Sequence, residues 1–147
     1  MPEVTRSRTV TAPRDAVWQL VSDPDHLPRW WPGVRRVEDA TPLAWTKVLV
    51  TPRGKTVRAD YSREAAEEPA RLVWRQELAE TPFERFLRES LVEIGLEPDG
   101  GRTRISVTAV QRLRGLSRFG GFMVRRATRR QLDEALDGLE RALGGAT

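Results

Sequence analysis

The sequence contains no cysteine, a single histidine and a single tyrosine. Without cysteine, the chain has no disulfide, no thiolate metal site and no thiol nucleophile. One histidine is too few for a histidine-rich metal site, and we expect neither a metal nor another cofactor. No apolar run approaches the roughly 20 residues of a membrane span, and the first residues lack a signal-peptide core, so we expect a cytoplasmic protein.

Charge is distributed unevenly along the chain. The formal net charge is +4, yet residues 100–132 hold nine arginines and no acidic residue. Such a stretch is either a solvated face of an arginine-rich protein or a surface for phosphate, anionic lipid or nucleic acid. A transient contact with an anionic membrane stays open, whereas nucleic acid is disfavoured because no nucleic-acid-binding motif is present.

The length suits one domain covering residues 1–147, which is long enough to bury a sizeable core. Glu3 to Thr11 is rich in Val and Thr and predicts a strand. Apolar residues at helical spacing predict a short helix from Arg14 to Ser22. A second short helix is predicted from His26 to Trp31, because Asp25 can cap its start and Pro32-Gly33 follows it.

Between Val34 and Leu113, apolar and polar residues alternate with a period of two. One example is the alternation of Val48 and Val50 with Lys47 and Leu49. This period indicates strands with one buried face. Turn sequences at Pro52-Arg53-Gly54 and Pro98-Asp99-Gly100-Gly101 separate such runs. The segment therefore predicts a meander of about six antiparallel strands.

The last segment, from about Phe119 to Leu143, predicts a long helix with one apolar stripe. Twenty-five helical residues span about 37 Å, and six or seven strands are about 30 Å wide. One helix can therefore cross the whole sheet. The stripe consists of Leu132, Ala135, Leu136, Leu139, Ala142 and Leu143.

The first quarter of the chain carries a specific pattern: Ala12-Pro13, Val17-Trp18, Asp23-Pro24 and Trp30-Trp31-Pro32-Gly33-Val34. With it, the chain resembles the START-like (SRPBCC) superfamily, in particular its polyketide cyclase/dehydrase and lipid-transport branch. The resemblance implies an α+β helix-grip fold. In that fold a curved seven-stranded antiparallel sheet grips the C-terminal helix, two short helices follow the first strand, and a cavity separates sheet and helix.

Family members bind lipids, sterols, polyketides or aromatic compounds; some cyclise or dehydrate them and many are carriers. The resemblance therefore implies a binding protein or carrier for an apolar small molecule. The alternative is a cofactor-independent polyketide aromatase/cyclase or dehydratase acting in the same cavity. The sequence leaves open which of the two applies, which ligand is bound and what the oligomeric state is.

Apolar and aromatic residues are expected to line such a cavity, although each of them taken singly is more often a core-packing residue. Trp30 and Trp31 are consecutive, so one is expected to pack inward and the other to border the cavity mouth. The candidate ligand-binding residues are Trp31, Tyr61, Trp74, Val92, Ile94, Phe119, Phe122, Met123 and Arg126.

Few polar residues are candidates for chemistry. Tyr61 and Arg126 are the catalytic candidates, and Arg126 could hold a carboxylate, phenolate or phosphate. Arg6 and Arg8 alternate in phase with apolar residues of the first strand and would need carboxylate partners if they point inward. His26 lies in a polar segment and is expected at the surface.

Overall fold

The computed structural model describes residues 3–51, 53–114 and 121–144. These residues form three α-helices, seven strands and two short 3-10 turns, at Pro24–His26 and Pro82–Arg85. The elements in chain order are β1 (Glu3–Val10), α1 (Arg14–Val21), α2 (Leu27–Trp30), β2 (Val34–Glu38), β3 (Ala44–Val50), β4 (Thr56–Glu67), β5 (Arg71–Gln76), β6 (Leu87–Asp99), β7 (Arg102–Leu113) and α3 (Gly121–Ala142).

All seven strands form one antiparallel sheet in the order β1-β7-β6-β5-β4-β3-β2. The predicted meander is confirmed, because each strand from β2 to β6 pairs with the next one along the chain. The hairpin between β6 and β7 is closed by Gly100 and Gly101, both with positive φ, a conformation that residues with a side chain rarely adopt. The first strand, β1, pairs with the last, β7, so β1 and β2 are the two edge strands of the sheet.

Helix α3 covers one face of the sheet, which we call the inner face. Its buried residues Leu132, Ala135, Leu136 and Leu139 join the core, so the predicted apolar stripe is confirmed. The predicted start of this helix at Phe119 lies outside the described residues. No helix in the described part of the chain is long and apolar enough to cross a membrane.

Arginines of β1 fasten α3 to the edge of the sheet. Arg6 donates to Asp133 over 2.8 Å, and Arg8 donates to Asp137 and, over 3.0 Å, to Glu140. The carboxylate partners that these arginines need therefore come from α3. The contacts also show the relative direction of the two elements. Because the later residue of β1 contacts the later residues of α3, β1 and α3 run in the same direction, and the first turns of α3 lie toward the start of β1.

Candidate functional site

Five aromatic rings form one cluster on the inner face. Trp30 and Trp31 come from the end of α2, and the other three come from adjacent strands β3, β4 and β5. Neighbouring ring centroids lie 5.5–6.3 Å apart, within the range of favourable aromatic contacts. The strand residues of the cluster are Trp45, Tyr61 and Trp74.

The strand register places the three rings side by side. Trp45 pairs with Tyr61, and Tyr61 pairs with Gln76. Trp74 precedes Gln76 by two residues and therefore lies on the same face. The expectation that only one of Trp30 and Trp31 packs inward is wrong, since both are buried. The reason is that Trp31 has left the helix: its backbone is extended, with φ −84° and ψ 130°.

Lys47 lies in the middle of this cluster and is only 1% exposed. Its Nζ atom is 4.1 Å from the ring centroid of Tyr61, 4.3 Å from that of Trp31 and 5.0 Å from that of Trp74. Burial away from water disfavours the charged form and lowers the pKa of Lys47 to about 7. The amine is thus partly unprotonated near neutral pH.

Sequence reasoning missed Lys47. The alternation in β3 suggests that Val48 and Val50 form the buried face and that Lys47 lies on the opposite, polar face. In the structure, residues on both faces of β3 are buried. Val48 is also fully buried, and its cross-strand neighbours Arg36 and Arg58 flank it on the opposite face. Trp45 and Leu49 follow the same two-residue period as Lys47, and that signal would have placed the lysine inside.

Three buried hydrogen-bond donors in the cluster find no acceptor among the described residues. They are the Lys47 Nζ and the indole Nε1 atoms of Trp30 and Trp45. Tyr61 donates to Gln76 Oε1 over 3.4 Å, and burial raises the pKa of its hydroxyl. A buried donor without an acceptor costs about 1–3 kcal/mol. The cluster is therefore an aromatic site equipped to donate to an oxygen atom.

Further polar groups lie on the inner face at one end of the sheet. Gln76 and Ser90 are buried and belong to neighbouring strands, just beyond the pair formed by Arg75 and Leu91. The first turns of α3 lie at this same end, and their Thr128 is buried as well. Gln76 connects this polar strip to the cluster through its bond with Tyr61.

The structure brings some of the predicted site residues together and separates others. Trp31, Tyr61 and Trp74 meet around Lys47. Val92 and Ile94 are buried nearby, with Val92 paired to Trp74. These five predicted residues therefore belong to one continuous region of the inner face.

Three predicted site residues of α3 do not join the cluster. Phe122 and Met123 are 75% and 72% exposed, and Arg126 is exposed beside them. Because each helical residue turns by about 100°, they face away from the buried stripe. They line an open depression of about 1000 Å³. Phe119 lies outside the described residues.

His26 is half-buried, and its ring contacts the backbone at the end of α1. Its Nδ1 atom lies 3.2 Å from the carbonyl oxygen of Gln19, near the end of α1. A carbonyl accepts hydrogen bonds, so Nδ1 donates there. His26 also lines a second depression, of about 610 Å³. Within the described ranges, no group of three His, Asp or Glu side chains is placed to hold a metal ion.

One antiparallel sheet with a long helix across its inner face and two short helices after the first strand defines the START-like, helix-grip class of proteins. The chain belongs to the family described as "Polyketide cyclase / dehydrase and lipid transport", which matches residues 1–144. A comparison with curated protein sequences gives no significant match.

Solved structures agree with this class. A START superfamily protein from Mycobacterium smegmatis has a TM-score of 0.79 at 16% identity, with 99% of each chain covered. A protein from Thermus thermophilus has a TM-score of 0.76 at 24% identity, again with 99% of each chain covered. The di-domain ARO/CYC protein BexL of the BE-7585A biosynthetic pathway has a TM-score of 0.78 at 23% identity, covering 96% of this chain and 46% of BexL. At these identities the likeness shows the fold.

Proposed function

We propose that the protein binds a hydrophobic small molecule between its sheet and α3, as a carrier or binding protein. Lys47 holds an oxygen atom of that molecule. The observation that carries the proposal is the buried Nζ of Lys47, which has no hydrogen-bond partner in the described part of the chain and is surrounded by three aromatic rings. Membership of a polyketide cyclase/dehydrase and lipid transport family agrees with it.

The donors define the chemistry of the ligand. Lys47 and the indoles of Trp30 and Trp45 offer N–H groups and need an acceptor. A carbonyl, phenolate or carboxylate oxygen supplies one, and an apolar or aromatic body suits the rings around it. An ionised oxygen also favours the charged form of Lys47 and raises its pKa on binding.

The thinly packed half of α3 is the natural place for a ligand to enter. Between Phe122 and Arg130, only Thr128 is buried. Between Gln131 and Glu140, five residues are buried, either in the core or against α2. A segment with few buried apolar contacts opens at low free-energy cost. A ligand admitted there lies over Gln76 and Ser90 and directs its oxygen toward Lys47.

Tryptophan fluorescence gives a direct test, because four of the five tryptophans belong to the cluster. We expect 2-naphthoate to quench it saturably, and 2-methylnaphthalene, which has the same shape without the oxygens, to bind much more weakly. Lys47→Met should weaken naphthoate binding about tenfold or more, the loss of one charge-assisted hydrogen bond. Lys55→Met, in an exposed turn, is the control.

Native mass spectrometry of freshly purified protein complements the titration. We expect an apolar compound to remain bound after purification. The proposal fails if nothing co-purifies and if a panel of fatty acids, naphthols and naphthoates shifts neither the fluorescence nor the unfolding temperature. Equal affinity of wild type and Lys47→Met would remove the role assigned to Lys47.

An aromatase/cyclase or dehydratase in the same site is the second candidate. The observation that favours it is the Lys47 amine, which burial leaves partly unprotonated near neutral pH and able to act as a base, over the ring of Tyr61. The Tyr61 hydroxyl keeps its proton and can donate a hydrogen bond to the substrate. Arg126 lies away from the cluster and is not needed. With a linear poly-β-ketone thioester as substrate, Tyr61→Phe and Lys47→Met should each abolish turnover. Turnover that survives both changes rules this candidate out.

The exposed face of α3 supports one further role, contact with an anionic membrane surface. Phe122 and Met123 are exposed apolar side chains beside Arg126 and Arg130. Residues 121–131 contain four arginines and no acidic residue. Apolar side chains flanked by arginine are typical of helices that bind at the membrane interface. We propose a transient contact of this kind, during which the ligand is collected or delivered.

A further inference from the structure

We propose that Lys47 is a nucleophile that condenses reversibly with the carbonyl group of an apolar aldehyde or ketone bound in the aromatic cluster, forming an imine. This inference rests on the proposed function in one respect only, that an apolar ligand reaches Lys47. It adds an activity, covalent capture, and it narrows the ligand class to carbonyl compounds.

The surroundings of Lys47 keep its amine reactive. Nucleophilic attack needs the nitrogen lone pair, which protonation or a paired carboxylate would withhold. Among the described residues, Nζ has no hydrogen-bond partner and no carboxylate forms an ion pair with it. The ring faces of Trp31, Tyr61 and Trp74 enclose it instead. Its pKa of about 7 leaves a large neutral fraction at neutral pH.

The reaction is balanced without any other reagent. The lone pair of Nζ attacks the carbonyl carbon, a C–N bond forms, and the carbonyl π electrons move to oxygen. The two protons of the amine then leave with that oxygen as water, and a C=N bond remains. The products are one imine and one water molecule. No oxidant or reductant is consumed, and hydrolysis regenerates the free lysine and the carbonyl compound.

The rest of the cluster favours the same step. The indole N–H groups of Trp30 and Trp45, which have no acceptor in the described ranges, can polarise the carbonyl, since negative charge develops on its oxygen. The aromatic faces around Nζ stabilise a protonated imine by cation–π attraction. Burial of the site excludes water and so slows hydrolysis of the imine.

The composition of the chain makes this inference easy to test, because it holds only two lysines, Lys47 and Lys55. Lys55 is exposed and serves as an internal control. The full chain is incubated with cinnamaldehyde at neutral pH, and sodium borohydride then converts any imine to a stable secondary amine. Intact mass gives the number of adducts, and peptide mapping assigns them to Lys47, Lys55 or the N-terminal amine.

We expect one adduct on Lys47, at least about tenfold more abundant than on Lys55, because a larger fraction of Lys47 is neutral. Lys47→Arg should lose this adduct and Lys55→Arg should keep it. An excess of 2-naphthoate should protect Lys47 and leave the N-terminal amine unprotected. Mapping of the wild-type chain compares the two lysines directly, so the result does not depend on whether a variant folds.

Tryptophan quenching by cinnamaldehyde without borohydride reports binding separately. Quenching with no adduct on Lys47 would overturn covalent capture and leave the proposed binding function in place. An adduct spread evenly over Lys47, Lys55 and the N-terminus would also overturn it, because it would show ordinary surface reactivity. Absence of both quenching and adduct would contradict the inference and the proposed function together.

Discussion

Gly138 of α3 packs directly against the backbone of Trp30, the last residue of α2. A Cβ atom built on Gly138 would overlap the Trp30 carbonyl oxygen and lie 2.7 Å from its Cα atom. Real Cβ atoms do not approach backbone so closely, and backbone moves less readily than the end of a side chain. The absence of a side chain at Gly138 therefore allows α2 to dock on α3 and positions Trp30 and Trp31 in the cluster.

Gly138→Ala should destabilise the protein. The added methyl group forces α2 and α3 apart, which costs about 1–3 kcal/mol, and the better helix propensity of alanine returns at most about 1 kcal/mol. Urea unfolding measures the change, and a shift in tryptophan emission should accompany it. Gly95→Ala is the matched control, because a Cβ at that position meets nothing within 4 Å. Equal stability of the two variants would contradict the close packing.

Lys47→Met should stabilise the folded state, with an effect that depends on pH. Burial lowers the pKa of Lys47 from 10.5 to about 7. Between these values the unfolded chain binds a proton that the folded chain does not, so wild-type stability rises with pH by about 1.4 kcal/mol per unit. Below pH 7 both states are protonated and the folded state bears the full cost of the buried charge.

The advantage of Lys47→Met is therefore expected to be greatest below about pH 7 and to shrink toward pH 10.5. Urea unfolding at several pH values measures this difference. Lys55→Met, which changes an exposed lysine, should follow the wild-type curve at every pH. If the curves of wild type and Lys47→Met run parallel, Lys47 does not lose its proton in the folded protein.

Arg8→Met should cost more stability than Arg130→Met. The Arg8 side chain is 27% exposed and contacts both Asp137 and Glu140, whereas Arg130 is 84% exposed and forms an ion pair with Glu134. Partial burial strengthens an ion pair, so we expect a loss of about 1–2 kcal/mol for Arg8 and less than about 0.5 kcal/mol for Arg130. Thermal unfolding at low and high salt measures both effects. Equal losses would show that the β1–α3 ion pairs do not hold the helix.

Anionic vesicles should bind the protein through the first turns of α3. We expect cosedimentation with phosphatidylserine-containing vesicles at low salt, loss of binding at about 0.5 M salt, and none with pure phosphatidylcholine. The double change Phe122→Ser and Met123→Ser should weaken binding. Leu43→Ser, an exposed leucine in the loop before β3, should leave it unchanged. Vesicle binding that is unchanged by salt and by the Phe122→Ser/Met123→Ser change would show that this surface does not contact the membrane.

Much of the architecture follows from local patterns. The period-two alternation locates the strands from β3 to β7, and the apolar stripe locates α3, because burial of one face imposes its period on neighbouring residues. The Trp30-Trp31-Pro32-Gly33-Val34 pattern identifies the family, and it also marks where the cluster begins. Tyr61 and Trp74 could be predicted at the site because each lies among the alternating apolar residues of its strand, which form the buried face.

The position of Lys47 and the separation of Phe122, Met123 and Arg126 from the cluster come from the folded arrangement. Alternation distinguishes two faces of a strand without saying which one meets the helix, and in β3 Lys47 and Val48 are both buried although they lie on opposite faces. Likewise, the apolar residues Phe122 and Met123 do not by themselves indicate whether the sheet or the solvent faces them. Composition and period thus determine the elements and their order. The register between strands and the angle at which α3 crosses them determine which side chains meet, because those contacts join residues distant in the chain.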